Sequence, residues 1–331
     1  MNRSDSINTA RRRALLAAGA ACLVGTPLTA RASEWPERAV TFVQPYGPGT
    51  ATDASSRYIA TRLGEQLGQA MVMQHKPGAN SIVGTEYVAR AAPDGYTFLI
   101  TSTGFFTNEA MVRKLPYDPL KSFDPVAKVG EVQLLLCVSA ASPFRSVGDL
   151  IRFAKSNPGK LSYASGGNGS SQHLSGAQLA TLSGTEILHV PYGTQVPAAV
   201  ATATGEVDFS FIAIATAKPL LADQRLRILA VSGTRRSASF PEIPTVAEAG
   251  LPGFEWVANT FFFAPAGTPT SIVTRLSDAL GGIANSDGYR EFTQGIGMDA
   301  AFTGAAEWRQ NIATERERFL QVVRASGAKA E

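Results

Sequence analysis

From Ala39 onward the chain alternates short runs of β-branched and aromatic residues with longer amphipathic stretches, the pattern of a parallel sheet covered by helices. Residues 40–43 predict a strand, followed by the loop Pro45-Tyr46-Gly47-Pro48-Gly49-Thr50. Asp53 is placed to cap a helix whose apolar face carries Ile59, Leu63 and Leu67 at four-residue spacing. Residues 71–73 predict the next strand, Lys76-Pro77-Gly78-Ala79-Asn80-Ser81 leads into a helix through Tyr87 and Val88, and Pro93-Asp94-Gly95 turns the chain into a strand over 96–100. A second series follows, with strands over 134–138, 161–164, 187–190, 207–212 and 226–231 and helices starting near Val147, Ser171, Val196 and Thr216. After a turn-rich stretch beyond Pro241, residues 256–263 read as an aromatic strand, and Thr268-Pro269 opens a helix with Ile272, Leu276, Leu280 and Ile283 on one face. A last helix carries Trp308, Ile312, Phe319 and Val323 and ends at Gly327. These helices have no sheet of their own and are expected to pack back on the first series. Chain crossings near Val132 and Trp256 then form a hinge.

The amino end reads differently. Arg11, Arg12 and Arg13 precede an apolar run over 14–24, and Ala30-Arg31-Ala32 offers a small-x-small cleavage site, so residues 1–32 are expected to be an export signal, by the general secretory or the twin-arginine route, to the periplasm. Removing them changes the charge argument. They hold five Arg and one Asp of the chain's 30 basic and 27 acidic residues, which leaves 25 against 26 and a net charge of −1. The balance gives no support for nucleic-acid binding. Cys22 leaves with the signal, and Cys137 in Leu134-Leu135-Leu136-Cys137-Val138 reads as an inert strand residue with no disulfide partner. A mature chain of roughly 300 residues exceeds what one core usually supports, so two domains are expected.

Specific strings narrow the class. Trp35-Pro36, Pro45-Tyr46-Gly47-Pro48-Gly49 with Asp53 and Arg57, Pro77-Gly78-Ala79, Pro93-Asp94-Gly95-Tyr96-Thr97, Leu115-Pro116-Tyr117-Asp118-Pro119, His189-Val190-Pro191-Tyr192, Pro244-Thr245 with Glu248-Ala249-Gly250, and Ala264-Pro265-Ala266-Gly267-Thr268-Pro269 occur in this order. Together they resemble the periplasmic receptor family of tripartite tricarboxylate transporters, the Bug-type extracytoplasmic solute-binding proteins. The resemblance implies an α/β, periplasmic-binding-protein-like (type II) fold: two Rossmann-like lobes joined by hinge strands, with ligand in the cleft. The lobes are expected over 33–133 and 134–255, with 256–331 returning to the first. Such a receptor is a monomer without cofactor that hands a di- or tricarboxylate or aromatic acid to transporter membrane subunits; a sensor kinase is the alternative partner. The chain departs from the family where paired glycines are usual: Gly49-Thr50, Asn80-Ser81 after Gly78-Ala79, and Gly193-Thr194 after Tyr192.

The expected site follows from where strands hand over to helices. Helix starts expose unpaired N–H groups and a partial positive charge, so a carboxylate can be held there without an arginine. Tyr46, Gly47, Pro48, Thr50, Ala51 and Thr52 lie at one such start and Asn80 and Ser81 at another; the resemblance makes these two loops a pincer on one carboxylate. Thr101 and Ser102 add hydroxyls, Phe105 and Phe106 either wall the site or fill core, and Ser165, Gly166, Gly167 and Ser170 form a second-lobe loop that either grips the distal end of the ligand or is a tight turn. His173, Tyr192 and Asp208 complete the candidates, although His173 and His189 also fit structural roles. Asp53 fits a cap better than a contact to an anion. No catalytic elbow, Walker loop, H-E-x-x-H or C-x-x-C occurs, and His75, His173 and His189 have no metal-ligand spacing, so no enzyme and no metal site are expected.

Overall fold

In the computed structural model, residues 35–328 are described, so the expected export signal lies outside them. The chain divides between Glu37 and Arg38, and the ten strands and ten helices described all belong to the second unit. Here β1 (Val40–Gln44), β2 (Met71–His75) and β3 (Thr97–Thr101) run parallel in the order β2-β1-β3, connected through α1 (Ala51–Leu67) and α2 (Ile82–Ala89). Val40, Phe42 and Val43 face fully buried surroundings, and α1 covers the sheet with Ile59, Ala60 and Leu63, the four-residue stripe seen in the pattern. After β3 the chain enters α3 (Gly104–Met111).

The strand β4 (Phe123–Ser139) organises the rest. Its residues 123–133 pair antiparallel with β9 (Val257–Pro265), which also flanks β3, and with β10 (Asp299–Gly304). Its residues 134–139 pair antiparallel with β7 (Phe209–Ala213) and β8 (Leu226–Val231). The second set of strands continues in parallel from β7 to β5 (Ser162–Ser165) and β6 (Leu188–Pro191). Its crossovers and flanks are α4 (Val147–Ser156), α5 (Ser171–Ser183), α6 (Gln195–Thr204) and α7 (Ile214–Ala222). Last come α8 (Thr270–Ala284), α9 (Asp287–Gly295) and α10 (Ala305–Ser326).

β4 changes partners between Gln133 and Leu134, and buried polar groups fasten the change. Gln133 donates to Asp299 (2.9 Å) and accepts from the Gly233 amide (3.2 Å). Ser232 accepts from the Leu134 amide, bonds the Leu134 carbonyl through its own amide, and donates its hydroxyl to the Trp256 carbonyl. The two crossings are thereby tied to each other at one point.

The sequence pattern and the structure part in three places, and one open alternative is decided. The first part of β4 was not expected, because Pro125 and Gly130 and two register shifts interrupt any alternation there. β10, built of Asp299-Ala300-Ala301-Phe302-Thr303-Gly304, has little intrinsic strand propensity and owes its conformation to pairing with β4. Phe105 and Phe106 lie on α3 and are wholly buried, Phe105 stacking on Phe263 at 4.3 Å and Phe106 on Phe319 at 5.9 Å, so both belong to the core. Finally, α10 packs against α3 and also against α5, on the side of the second strand set, rather than on the first alone. With 22 residues it is long enough, at ~33 Å, to serve both.

Candidate functional site

Thr50, not Asp53, caps α1: its hydroxyl oxygen accepts from the Asp53 amide at 3.1 Å. Asp53 is the third residue of the helix and is buried. Its carboxylate accepts from the Gly49 amide (3.0 Å) and from Arg57 (3.2 Å) and lies 3.3 Å from His75 Nε2. His75 Nδ1 in turn bonds the Tyr46 carbonyl at 2.9 Å, so this polar group braces the loop from behind. Capping uses the Thr50 oxygen as an acceptor and leaves its proton free to be donated. Among the described residues the amides of Ala51 and Thr52 have no acceptor.

The second loop has an unusual backbone. Ala79, Asn80 and Ser81 have φ of 44°, 49° and 77°, three consecutive non-glycine residues in the left-handed region, after Gly78 at 143°. Each costs roughly 1–2 kcal/mol against ordinary geometry, which is the reason glycines suit this loop. Buried Asn108 on α3 offsets the cost: its amide donates to the Asn80 carbonyl (2.6 Å) and Ser81 Oγ (3.2 Å), while its carbonyl accepts from Asn80 Nδ2 (2.6 Å). Such strain held by a dedicated brace is a mark of functional loops. Replacing Asn108 with Ala removes these bonds at about 1–3 kcal/mol. We expect a melting temperature lower by several degrees and roughly tenfold weaker ligand binding, checked by calorimetry. Adding Ser81→Gly to that variant should recover part of the stability.

Two adjoining hollows open where these loops face the second strand set. The first, about 270 Å³, is lined by Tyr46, Thr50, Thr52, Asn80, Ser102, Thr103, Gly104, Thr107, Gly169, Ser170, Ser171, Leu174 and Trp256. The second, about 660 Å³, shares Asn80, Gly169 and Ser170 with it and adds Ile82, Met111, Val112, Gly166, Gly167 and Gly193 among others. No charged side chain lines either hollow. Instead four helices begin there: α1 after Thr50, α2 after Ser81, α3 after Thr103 and α5 after Ser170. Ser170 caps α5 by accepting from the His173 amide, and the amides of Gly104, Ser171 and Gln172 are left without acceptors among the described residues. Four partial positive ends converge on one uncharged, hydroxyl-rich space, three of them with open N–H groups, since at α2 the Ile82 and Val83 amides already bond the carbonyls of Ala79 and Gly78. Chemically it is suited to hold an anion through neutral donors.

On the second-set side the loop 165–171 is shaped from below. Buried Ser165 gives its hydroxyl to the Gly167 carbonyl (3.1 Å), accepts from the Gly167 amide (3.0 Å) and meets His189 Nε2 at 2.6 Å. His173 Nδ1 accepts from the Gly169 amide at 3.0 Å, which requires a neutral ring, and its imidazole stacks on His189 at 4.0 Å. A Cβ on Gly166 would meet the Gln195 amide nitrogen at 3.1 Å, so the loop and the start of α6 approach closely enough that any larger residue would push them a few tenths of an ångström apart.

Burial, with the neighbouring His173 second, holds the His189 pKa down at about 4, and burial lowers that of His173. The folded state therefore keeps His189 neutral where the unfolded chain, titrating near 6.5, takes up a proton. Its contribution to stability is complete above pH 6.5 and is lost as pH falls through the window down to about 4. The melting temperature should decline across that window, and His189→Gln should flatten the decline in a pH series of thermal melts.

The structure brings Tyr46, Thr50, Thr52, Asn80, Ser102, Gly166, Gly167 and Ser170 together around the hollows. Gly47 and Pro48 stand on the first loop and Ala51 at the start of α1 without lining the space, and Ser81 and Thr101 are buried behind it, Thr101 Oγ1 lying 3.4 Å from the Tyr46 hydroxyl. Ser165 and His173 are buried beneath the second-set loop and support it rather than line it. Tyr192 turns its hydroxyl outward to Glu206 at 2.7 Å. Asp208 precedes β7 and accepts from the amide and hydroxyl of Ser162, at the amino ends of the strands, so it belongs to the edge opposite the hollows. Thr107, Leu174, Trp256 and the brace Asn108 were not expected. Among the described residues no group of His, Cys, Asp and Glu is arranged to hold a metal, and Cys137 is buried with its thiol pKa pushed well up.

This arrangement has parallels in known proteins. Residues 55–328 match the sequence model of the tripartite tricarboxylate transporter family receptor, and the chain belongs to that family, whose members are solute-binding receptors rather than enzymes. It is 36% identical over 321 residues to the "UPF0065 protein in tcbD-tcbE intergenic region" of Pseudomonas sp. (strain P51), covering 96% of this chain and 95% of that one. It is 32% identical to BugT of Bordetella pertussis, over 90% and 92% of the two chains. Among solved structures, R. palustris Rpa4515 with adipate superposes with a TM-score of 0.73 at 35% identity, over 89% of this chain and 99% of that one. MatC from Rhodopseudomonas palustris, with bound malate, gives 0.68 at 30% identity over 87% and 100%. The fold is that of the solute-binding proteins, two Rossmann-like lobes joined by hinge strands.

Proposed function

We propose that this receptor captures a small organic carboxylate between its lobes in the periplasm and delivers it to the membrane subunits of a tripartite tricarboxylate-type transporter. The observation that carries the reading is the convergence of four helix N-termini, three of them with open amides, and of several hydroxyls on a space lined by no charged side chain. Adipate and malate in two structural neighbours support the ligand class. The lobes divide where β4 changes partners, at Gln133 and Leu134, giving one lobe over 33–133, a second over 134–255, and a return to the first over 256–331. Residues 1–32 are the export signal. Ligand bound to both lobes favours the closed arrangement, and the membrane partner reads closure.

A thermal-shift screen tests the proposal, because binding to the native state alone raises the melting temperature, by about 2.7 kcal/mol of added stability at a hundredfold excess over Kd. Dicarboxylates, aromatic acids, amino acids, sugars and metal cations form the panel. At least one carboxylate should raise the melting temperature and saturate. Responses limited to sugars or cations would contradict the assignment.

A further inference from the structure

The indole of Trp256 stands apart from the rest of the cavity wall. It precedes β9 at the crossing, its main chain held on both sides by Ser232, and its ring lies edge-on to Phe319 at 5.5 Å and 83°. The residue is 1% exposed and lines the 270 Å³ hollow, yet its Nε1–H has no acceptor anywhere in the described structure. An indole nitrogen only donates, so no rearrangement of its own can satisfy it. Buried donors of this kind are nearly always paired; the Trp308 indole is also unpaired but lines neither hollow, so of the two only Trp256 stands where an acceptor arriving from outside the chain can reach it.

The helix ends supply more open donors than one carboxylate can use. On residues that line the first hollow, the amides of Thr52, Gly104 and Ser171 and the hydroxyls of Thr50, Thr52 and Ser170 outnumber the about four lone-pair sites on a carboxylate's two oxygens. A ligand with a plain alkyl tail would leave the indole orphaned and the surplus unused. We infer that Trp256 Nε1–H is a ligand contact, donating to a second oxygen acceptor of a bifunctional acid whose first carboxylate lies at the helix starts. This assignment rests on the carboxylate reading of the cleft. It places a ligand-binding donor directly on a hinge crossing, so occupancy of the distal group and the position of the crossing are linked.

Indole ¹H–¹⁵N resonances of the mature protein test the assignment, with Trp256→Phe identifying the Trp256 signal. Adipate and hexanoate, equal in chain length but differing in the distal carboxylate, are the probes. Adipate should move the Trp256 indole proton downfield and hexanoate should not, while Trp308 stays in place. Trp256→Phe should weaken adipate binding about tenfold and leave hexanoate nearly unchanged. Adipate binding with the wild-type indole unmoved overturns the role of Trp256 alone, whatever the stability of the variant. Adipate and every other carboxylate of the panel causing no change in the spectrum or in the melting temperature overturns the carboxylate reading beneath it.

Discussion

Ser171→Pro is expected to weaken carboxylate binding roughly thirtyfold while leaving the melting temperature of the ligand-free protein within about two degrees of the parent. Ser171 is the first residue of α5, where proline is favoured because its fixed φ suits the helix and its missing N–H has no intrahelical partner. The preceding residue, Ser170, already has φ −64° and ψ 156°, the extended geometry that a following proline demands. The substitution therefore deletes one amide from the cavity wall without disturbing the helix. Hydrogen bonds to charged groups contribute about 1.5–3 kcal/mol, which sets the size of the loss. Ser171→Ala, which keeps the amide and removes the hydroxyl, is the control and should lose only a few-fold. Isothermal titration of both variants, with thermal melts alongside, separates backbone capture from side-chain capture.

Gly169→Val should have a larger effect, about a hundredfold, by holding the cleft apart. Gly169 has φ 73°, and a Cβ there would stand 2.2 Å from the methyl group of Met111 on α3. The contact joins the second-set loop to the first-set helix, and since the atom met is the end of a flexible side chain, valine must push Met111 aside before the cleft can close. The left-handed backbone adds roughly 1–2 kcal/mol for any non-glycine residue. Met111→Ala in the same chain should restore part of the affinity by making room, but not the part due to backbone strain; a double-mutant cycle separates the two. Small-angle scattering should show Gly169→Val remaining expanded when ligand saturates the parent.

Much of this molecule is visible in its sequence. The alternation of β-rich runs and amphipathic stretches marks β1 to β3 and β5 to β8 because those strands are buried, parallel or flanked by helices, and carry their own apolar pattern. The glycine, serine and threonine loops at Tyr46, Asn80, Ser102 and Ser170 stand out because each joins a strand to a helix start. What escaped is set by tertiary pairing. β10 exists only against β4, the bulged half of β4 follows no period, and α10 serves both strand sets through its length. Asn108 braces the cleft loop from a helix interior and Trp256 lines the cleft from a chain crossing, positions to which no local rule assigns binding. Asp208 and Tyr192 illustrate the converse error. They lie near strand ends in sequence, but Asp208 is at the amino edge and Tyr192 turns its hydroxyl to Glu206.

The most direct measurement is a high-resolution structure of the complex with the carboxylate that gives the largest thermal shift. Carboxylate oxygens should sit within about 2.7–3.1 Å of main-chain nitrogens at the starts of α1, α3 and α5, with no lysine or arginine nitrogen in contact. A ligand neutralised by a cationic side chain, or bound outside the space between the two strand sets, would contradict the account.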